Sequence, residues 1–134
     1  MLFLAISVVL ARYFSVENVE RDDELALIEA QSRGDANGMI ERIYRCRSSP
    51  ACVAQARANA DALRREGAVK ILSVKSTNSH SVTSSTGTTR LAWTVIGRLP
   101  VVQCLKVRRR GSLFEGFTIT VLSLSAPIPN EADC

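Results

Sequence analysis

The chain has 134 residues, of which 46% are hydrophobic and 22% charged, and its net charge is +4. This length and composition exclude wholesale disorder and suit one domain with its own core. The charge is uneven, because residues 1–66 carry 9 Lys or Arg against 10 acids and residues 67–134 carry 8 against 3. The basic half is typical of a protein with an anionic partner or of a solvated basic face. Nucleic acid is the least favoured partner, since aromatic residues make up only 5% of the chain.

Residues 2–11 form an uncharged and almost wholly apolar run. As a helix, ten residues span about 15 Å, half of a hydrocarbon core of about 30 Å. The run lacks the basic leading segment and the cleavage site of a signal peptide. We therefore expect residues 1–14 to be a membrane anchor whose upstream half lies outside this chain, with Arg12, Tyr13 and Phe14 at the bilayer interface. The alternative is a short buried helix or strand.

Two or three helices follow the apolar run. Residues 15–33 show a helical periodicity of apolar residues among acids, and Gly34 followed by Asp35 predicts the end of one helix and the N-cap of the next. Ser49-Pro50 predicts the start of a further helix that runs to about Arg65. Helices followed by strands favour an α+β fold.

Cys46 and Cys52 lie at the second junction between helices. A disulfide between them closes a short loop and stabilises the fold by about 2–3 kcal/mol. Free thiols and a metal site are the alternatives, although this spacing with a single His in the chain matches no common zinc site. For Cys104 and Cys134 the sequence does not choose among the possible pairings. A Cys46–Cys52 disulfide indicates an oxidising compartment and therefore an extracytoplasmic domain.

The second half predicts a four-stranded antiparallel meander. The predicted strands are residues 68–75, 90–99, 99–110 and 114–124. Residues 76–89, rich in Ser, Thr and Gly, predict a hairpin tip that turns near residues 85–87, or a mobile loop. Gly111 and Ser112 predict a second turn. A change of the apolar face within residues 114–124 predicts a bulge or a strong bend. The single domain then covers residues 15–128, with residues 129–134 as a tail.

The third strand organises the predicted sheet. Val101, Leu105 and Val107 alternate onto one face, which predicts a core strand. Its basic end, Arg108, Arg109 and Arg110, is the candidate ligand-binding site, for an anion or for lipid headgroups. Alternation sends Arg109 to the face opposite the other two. The competing interpretation is protection of a sheet edge by charge.

Helices followed by a curved antiparallel meander resemble the cystatin-like superfold, which includes the nuclear-transport-factor-like and SnoaL-like proteins. Residues 31–40 (QSRGDANGMI) are similar to the junction that often opens the second helix of those proteins. The overall layout, with its V-Q-C-x-x-V-R-R-x-G strand, also resembles uncharacterised membrane-anchored bacterial proteins. The resemblance implies a curved four-stranded sheet. Enzymes of the superfold use Asp and His residues in a pocket, and no such pair is recognisable here.

The catalytic signals are few. His80 is the only histidine and lies among Ser and Thr, as a solvated loop residue does, and no motif calls for a metal or cofactor. We therefore expect a non-enzymatic, membrane-tethered extracytoplasmic domain that binds a protein partner or a small ligand on the concave face of its sheet. A SnoaL-like isomerase or hydrolase is the alternative, and a basic nucleic-acid-binding module is the second alternative.

Overall fold

The computed structural model of the protein describes residues 2–80, 84–112 and 116–134. It has the expected α+β layout, with the helices preceding a four-stranded antiparallel sheet of order β1-β2-β3-β4. The helices are α1 (Leu2–Ser32), α2 (Ala36–Arg42), a short 3-10 helix (Cys46–Ser48) and α3 (Pro50–Ala62). The strands are β1 (Val69–His80), β2 (Ser84–Val95), β3 (Val101–Ser112) and β4 (Gly116–Leu124).

The helix boundaries at the predicted caps are confirmed. Gly34 follows α1 with a φ of 75°, a left-handed conformation that glycine adopts without strain. The Asp35 carboxylate then accepts a hydrogen bond from the Gly38 N–H at 2.9 Å, which caps α2. In the same way Ser49 accepts from Cys52 N–H at 3.3 Å and Pro50 opens α3. Helix α1 runs unbroken from the apolar run into the domain.

The β1–β2 and β3–β4 hairpins are longer than the sequence pattern predicted. Ser85 to Gly87 lie in β2 rather than in a turn, and Gly111 and Ser112 lie in β3. The hydroxyl-rich segments pair because their backbone groups form the hydrogen bonds between the strands, and because threonine favours the strand conformation. The hydroxyls of Ser76 and Thr89 also lie 3.0 Å apart across the two strands. The connections at residues 81–83 and 113–115 are outside the described residues. We call this end of the sheet the tip end, and the end at the β2–β3 connection (residues 96–100) the base end.

A β-bulge at Leu122 accounts for the predicted change of face in β4. Lys106 pairs with Ser123 and Val107 pairs with Val121, so Leu122 is the extra residue. The bulge lets both Val121 and Leu124 point into the core, although one is odd-numbered and the other even. The predicted slip is therefore a confirmed feature of the fold.

The core lies between the helices and one face of the sheet. Val101, Leu105 and Val107 of β3 are buried there, as their alternation predicts, against Leu27 and Ile28 of α1. Trp93 of β2 is fully buried in the same layer. The side of the sheet that the helices cover is called the inner face below, and the opposite side is called the outer face.

The ends of α1 and α2 meet the sheet at different levels along the strands. The side chain of Gln31 bonds to Gln103 of β3, while the residue after α2, Ile43, bridges Val121, which pairs with Val107. The chain therefore moves four β3 residues towards the tip end as it passes along α2. Helix α2 packs against α1 after a short turn.

The C-terminal segment, residues 125–134, first continues beside β3 and then crosses the outer face near the base end. Ile128 N–H donates to the Val102 carbonyl at 2.8 Å, and Cys134 forms a disulfide with Cys104. The Arg90 guanidinium donates to the carbonyls of Asn130 and Ala132. This contact buries Ala92 and Val102 although they point away from the helices. The expected tail is thus fastened to the sheet.

Candidate functional site

A buried cluster of polar side chains occupies the inner face at the centre of β3. Gln103 accepts hydrogen bonds from Trp93 Nε1 and Gln31 Nε2, both at 2.9 Å. Its own amide donates to Gln31 Oε1 at 3.0 Å and to the Ser125 carbonyl at 2.9 Å. These donors and acceptors satisfy one another, so the cluster joins α1, β2, β3 and the C-terminal segment rather than presenting groups to a substrate.

This cluster fills the centre of the inner face, the side of the sheet on which we predicted a ligand. Gln31, Trp93 and Gln103 are each 0% exposed, and α1 lies against the same face. The inner face is therefore closed at this level of the sheet. The sequence signal that could have found the cluster is Gln103 itself, a polar residue at an inward position between Val101 and Leu105.

The single histidine of the chain lies away from this buried cluster. His80 is the last residue of β1, opposite Ser85, far along the strands from the Gln31–Gln103 pair. Asp22 and Asp23 are exposed on α1, whereas Glu24 is 2% exposed beneath the sheet. Among the described residues, no three His, Cys, Asp or Glu side chains are grouped in a way that could hold a metal ion.

Cys46 and Cys52 form a disulfide, as their position between two helices suggested. Beside it lies a cleft of about 320 Å³ between α2, α3 and the bulge of β4. The cleft is lined by Met39, Ile43, Ser49, Ala51, Cys52, Gln55, Ala56, Asn59, Leu122, Ser123 and Leu124. No charged side chain is among them, so the cleft suits a small uncharged group with an apolar part and a hydrogen-bonding part.

Six of the seven cations on the four strands lie on the outer face. The strand register places Lys70, Lys75, Arg90, Lys106, Arg108 and Arg110 there, and these strands contain no Asp or Glu. Arg109 points to the inner face, where its β4 neighbour Ile119 packs against the core, as alternation predicts. Arg108 and Arg110 therefore share the open part of the outer face with Lys106.

The outer face has two parts that differ in what covers them. Arg90 is bound to carbonyls of the C-terminal segment, so its positive charge is partly satisfied within the protein. Lys106 and Arg110, nearer the tip end, are exposed, and Arg108 is half-buried. The interpretation of the arginine run as edge protection is wrong, because β3 is hydrogen-bonded on both sides, to β2 and to β4.

The apolar run is the second surface that stands out. Leu2, Phe3 and Leu4 expose 80%, 87% and 72% of their surface, and Ile6, Val8, Val9 and Leu10 are also more than half exposed. Of the helices in the part of the chain that the structure describes, none is both long and apolar enough to cross a bilayer. The run is nevertheless the most concentrated set of exposed apolar side chains in the described residues.

No family model matches the chain, and neither does any curated protein or solved structure. The cystatin-like resemblance therefore stays a prediction.

Proposed function

We propose that this chain is a non-enzymatic, membrane-tethered domain of the extracytoplasmic side that binds a small ligand or a protein partner. The exposed apolar segment at residues 2–11 carries the proposal, because it continues directly into a helix whose other end is packed in the core. Seven large apolar side chains are exposed on it, and moving them out of water is favourable by roughly 10 kcal/mol, at about 1.5 kcal/mol each. A lipid bilayer offers them that environment.

The two disulfides support the extracytoplasmic side. All four cysteines are paired, Cys46 with Cys52 and Cys104 with Cys134. Structural disulfides form and persist in oxidising compartments and are rare in the cytosol. A tether that places the domain outside the cytoplasm agrees with this chemistry.

Vesicle flotation with the oxidised full chain tests the tether. We expect the protein to float with vesicles of phosphatidylcholine alone, and Leu4→Asp with Val8→Asp to leave it in the soluble fraction, since charges in the segment oppose insertion. Ile96→Asp with Leu99→Asp is the matched control, because these side chains are also exposed, at 90% and 83%, but lie at the base end. Equal loss of flotation in both variants, or no flotation of the wild type, contradicts the tether.

The cleft beside the Cys46–Cys52 disulfide is the proposed ligand site. Its volume and its uncharged lining suit a small amphipathic molecule or an apolar side chain of a partner, with the Gln55 amide as the hydrogen-bonding group. The amides of Gln55 and Asn59 contact each other, Gln55 Nε2 donating to Asn59 Oδ1 at 2.8 Å, which orients them along one wall.

A leucine derivative with both ends blocked, N-acetyl-leucine amide, is a suitable probe. We expect the probe to change the NMR chemical shifts only of protein residues that line the cleft. Ala51→Trp, at an exposed lining position, should reduce these shift changes. Ala54→Trp is the control, because Ala54 is exposed on the same helix outside the lining. Shifts that spread over the whole surface, or that survive Ala51→Trp unchanged, contradict a site in the cleft.

A further inference from the structure

Among the described residues, the strands that form the tip half of the outer face carry cations and no Asp or Glu. Arg108 and Arg110 are two residues apart on the same strand, so their side chains leave the sheet about 7 Å apart on one side. Lys106 precedes them at the same spacing. Their cross-strand neighbours are Thr86 and Thr120 for Arg108, and Thr88 and Ser123 for Lys106. Like charges in one row repel each other, and hydroxyl neighbours do not offset that cost.

This row of cations is not explained by the stability of the sheet. It does not protect an edge, since β3 is an interior strand. It also differs from Arg90, whose guanidinium is held by carbonyls of the C-terminal segment. A surface that gathers three cations without a strand carboxylate is complementary to an anionic partner.

The position of the row relative to the apolar segment indicates which partner. From Gln31, the twenty residues of α1 back to Ala11 cover about 30 Å. From Gln103, the nine residues of β3 to Ser112 also cover about 30 Å. The apolar segment and the tip end of β3 therefore begin at similar distances from the Gln31–Gln103 pair, and Arg108 and Arg110 lie within a few residues of that end.

We propose that Lys106, Arg108 and Arg110 contact anionic lipid headgroups of the bilayer that receives residues 2–11. This inference rests on the proposed tether and deepens it. The apolar segment supplies affinity for any bilayer. The cationic row adds a preference for a negatively charged bilayer and determines the orientation of the sheet on its surface. Threonine hydroxyls in the neighbouring strands are placed to donate to the same phosphate oxygens.

The test compares vesicles of phosphatidylcholine alone with vesicles that also contain phosphatidylglycerol, using the oxidised full chain. We expect phosphatidylglycerol to strengthen partitioning of the wild type, and Arg108→Gln with Arg110→Gln to weaken partitioning to those vesicles by about 30-fold, as removal of two surface cations implies. Partitioning to phosphatidylcholine alone should be the same for both proteins. The added affinity should fall with rising salt.

Lys70→Gln with Arg98→Gln is the matched control. It removes the same net charge from exposed positions near the base end, in β1 and in the β2–β3 connection. We expect it to change partitioning to phosphatidylglycerol vesicles less than threefold, because the base end stands well beyond one screening length of about 10 Å from the bilayer. An equal loss in the two double variants overturns the inference, since net charge alone then explains the effect.

Other outcomes separate this inference from the tether itself. A wild type that fails to bind phosphatidylcholine contradicts the tether. A wild type that binds it but gains nothing from phosphatidylglycerol contradicts only the cationic row. Duplex DNA provides the remaining arm: if Arg108→Gln with Arg110→Gln abolishes binding to DNA and leaves partitioning to phosphatidylglycerol vesicles unchanged, the row is a nucleic-acid surface and the lipid assignment is wrong.

Discussion

The two ends of β3 have the same backbone geometry and opposite side-chain chemistry. Towards the base end, Val101 and Leu105 flank Gln103, whose amide is fully engaged beneath the helices, and Cys104 is bonded to Cys134 on the other face. Towards the tip end, Lys106, Arg108 and Arg110 stand on a part of the outer face that the described C-terminal contacts do not reach. One strand thus joins a region whose side chains bond to the rest of the protein to a region that we propose binds an anionic surface.

Under this proposal, the buried end of the strand serves stability and the cationic end serves binding. Removing a group from the buried end leaves its partners buried without hydrogen bonds, which is costly. Removing a cation from the tip end leaves the fold with less repulsion. Changes along β3 should therefore affect stability at one end and binding at the other.

Gln103→Ala should have the largest effect on stability. Trp93 Nε1 and the Gln31 amide both lose their partner, at about 1–3 kcal/mol for each buried group, and a cavity is left as well, so we expect a loss of about 4 kcal/mol in the free energy of unfolding. Chemical denaturation measures it. Because Gln31 depends on the same bonds, the double variant Gln31→Ala with Gln103→Ala should cost less than the sum of the single variants. Strict additivity contradicts a coupled cluster.

Replacing Cys104 and Cys134 by Ser should cost more than replacing Cys46 and Cys52. The sequence separations are 30 and 6 residues, and loop entropy gives about 3.5 kcal/mol for the longer loop and about 2 kcal/mol for the shorter. The Cys104–Cys134 disulfide also holds the C-terminal segment against the sheet, so removal of this disulfide should expose Val102 and Ala92. Thermal unfolding of the two double variants under one buffer condition gives the comparison, and the reverse order would sink this ranking.

Asp35→Ala should destabilise the fold by about 1 kcal/mol. The carboxylate caps α2 through Gly38 N–H, and the turn it fixes positions the end of α1, where Gln31 enters the cluster. Asp35→Asn is the matched variant, since an asparagine side chain caps nearly as well, and it should recover most of the loss in denaturation experiments. If Asn and Ala behave alike, the cap is not what stabilises this turn.

Arg108→Gln with Arg110→Gln should have the smallest effect on stability, within about 0.5 kcal/mol of the wild type. Both residues are on the outer face at the tip end, and their removal relieves repulsion between like charges. The measurement is again denaturation, beside the vesicle partitioning described above. A large loss of stability here would mean that the arginines are part of the structure and that the two ends of β3 do not differ as described.

Local sequence patterns predicted the features that depend on neighbouring residues. The core face of β3 was predictable because alternation is a property of a single strand, and it is formed by Val101, Leu105 and Val107. The caps were predictable because the N–H that each cap binds lies only three residues away, as at Asp35 and Ser49. The bulge in β4 was predictable for the same reason, since the apolar positions change from odd to even within one strand.

Features that join distant parts of the chain were not predictable in the same way. Gln31 and Gln103 are 72 residues apart, and no local pattern around either residue predicts the hydrogen bonds between them. The pairing of Cys104 with Cys134 and the shared outer face of the cations depend on strand register and on the path of the C-terminal segment. The cleft depends on how α2 and α3 meet the bulge. The hairpin lengths were underestimated because Ser and Thr signal turns in isolation but pair readily within a sheet.

Amide hydrogen exchange along β3, measured in the full chain with and without vesicles containing phosphatidylglycerol, tests the division of the strand most directly. We expect amides of residues 101–105 to exchange only through global unfolding under both conditions, and amides of residues 106–112 to exchange faster in solution and to become protected when the vesicles are added. Uniform protection along β3 in solution, or vesicle-induced protection at residues 101–105 instead of residues 106–112, would contradict the account.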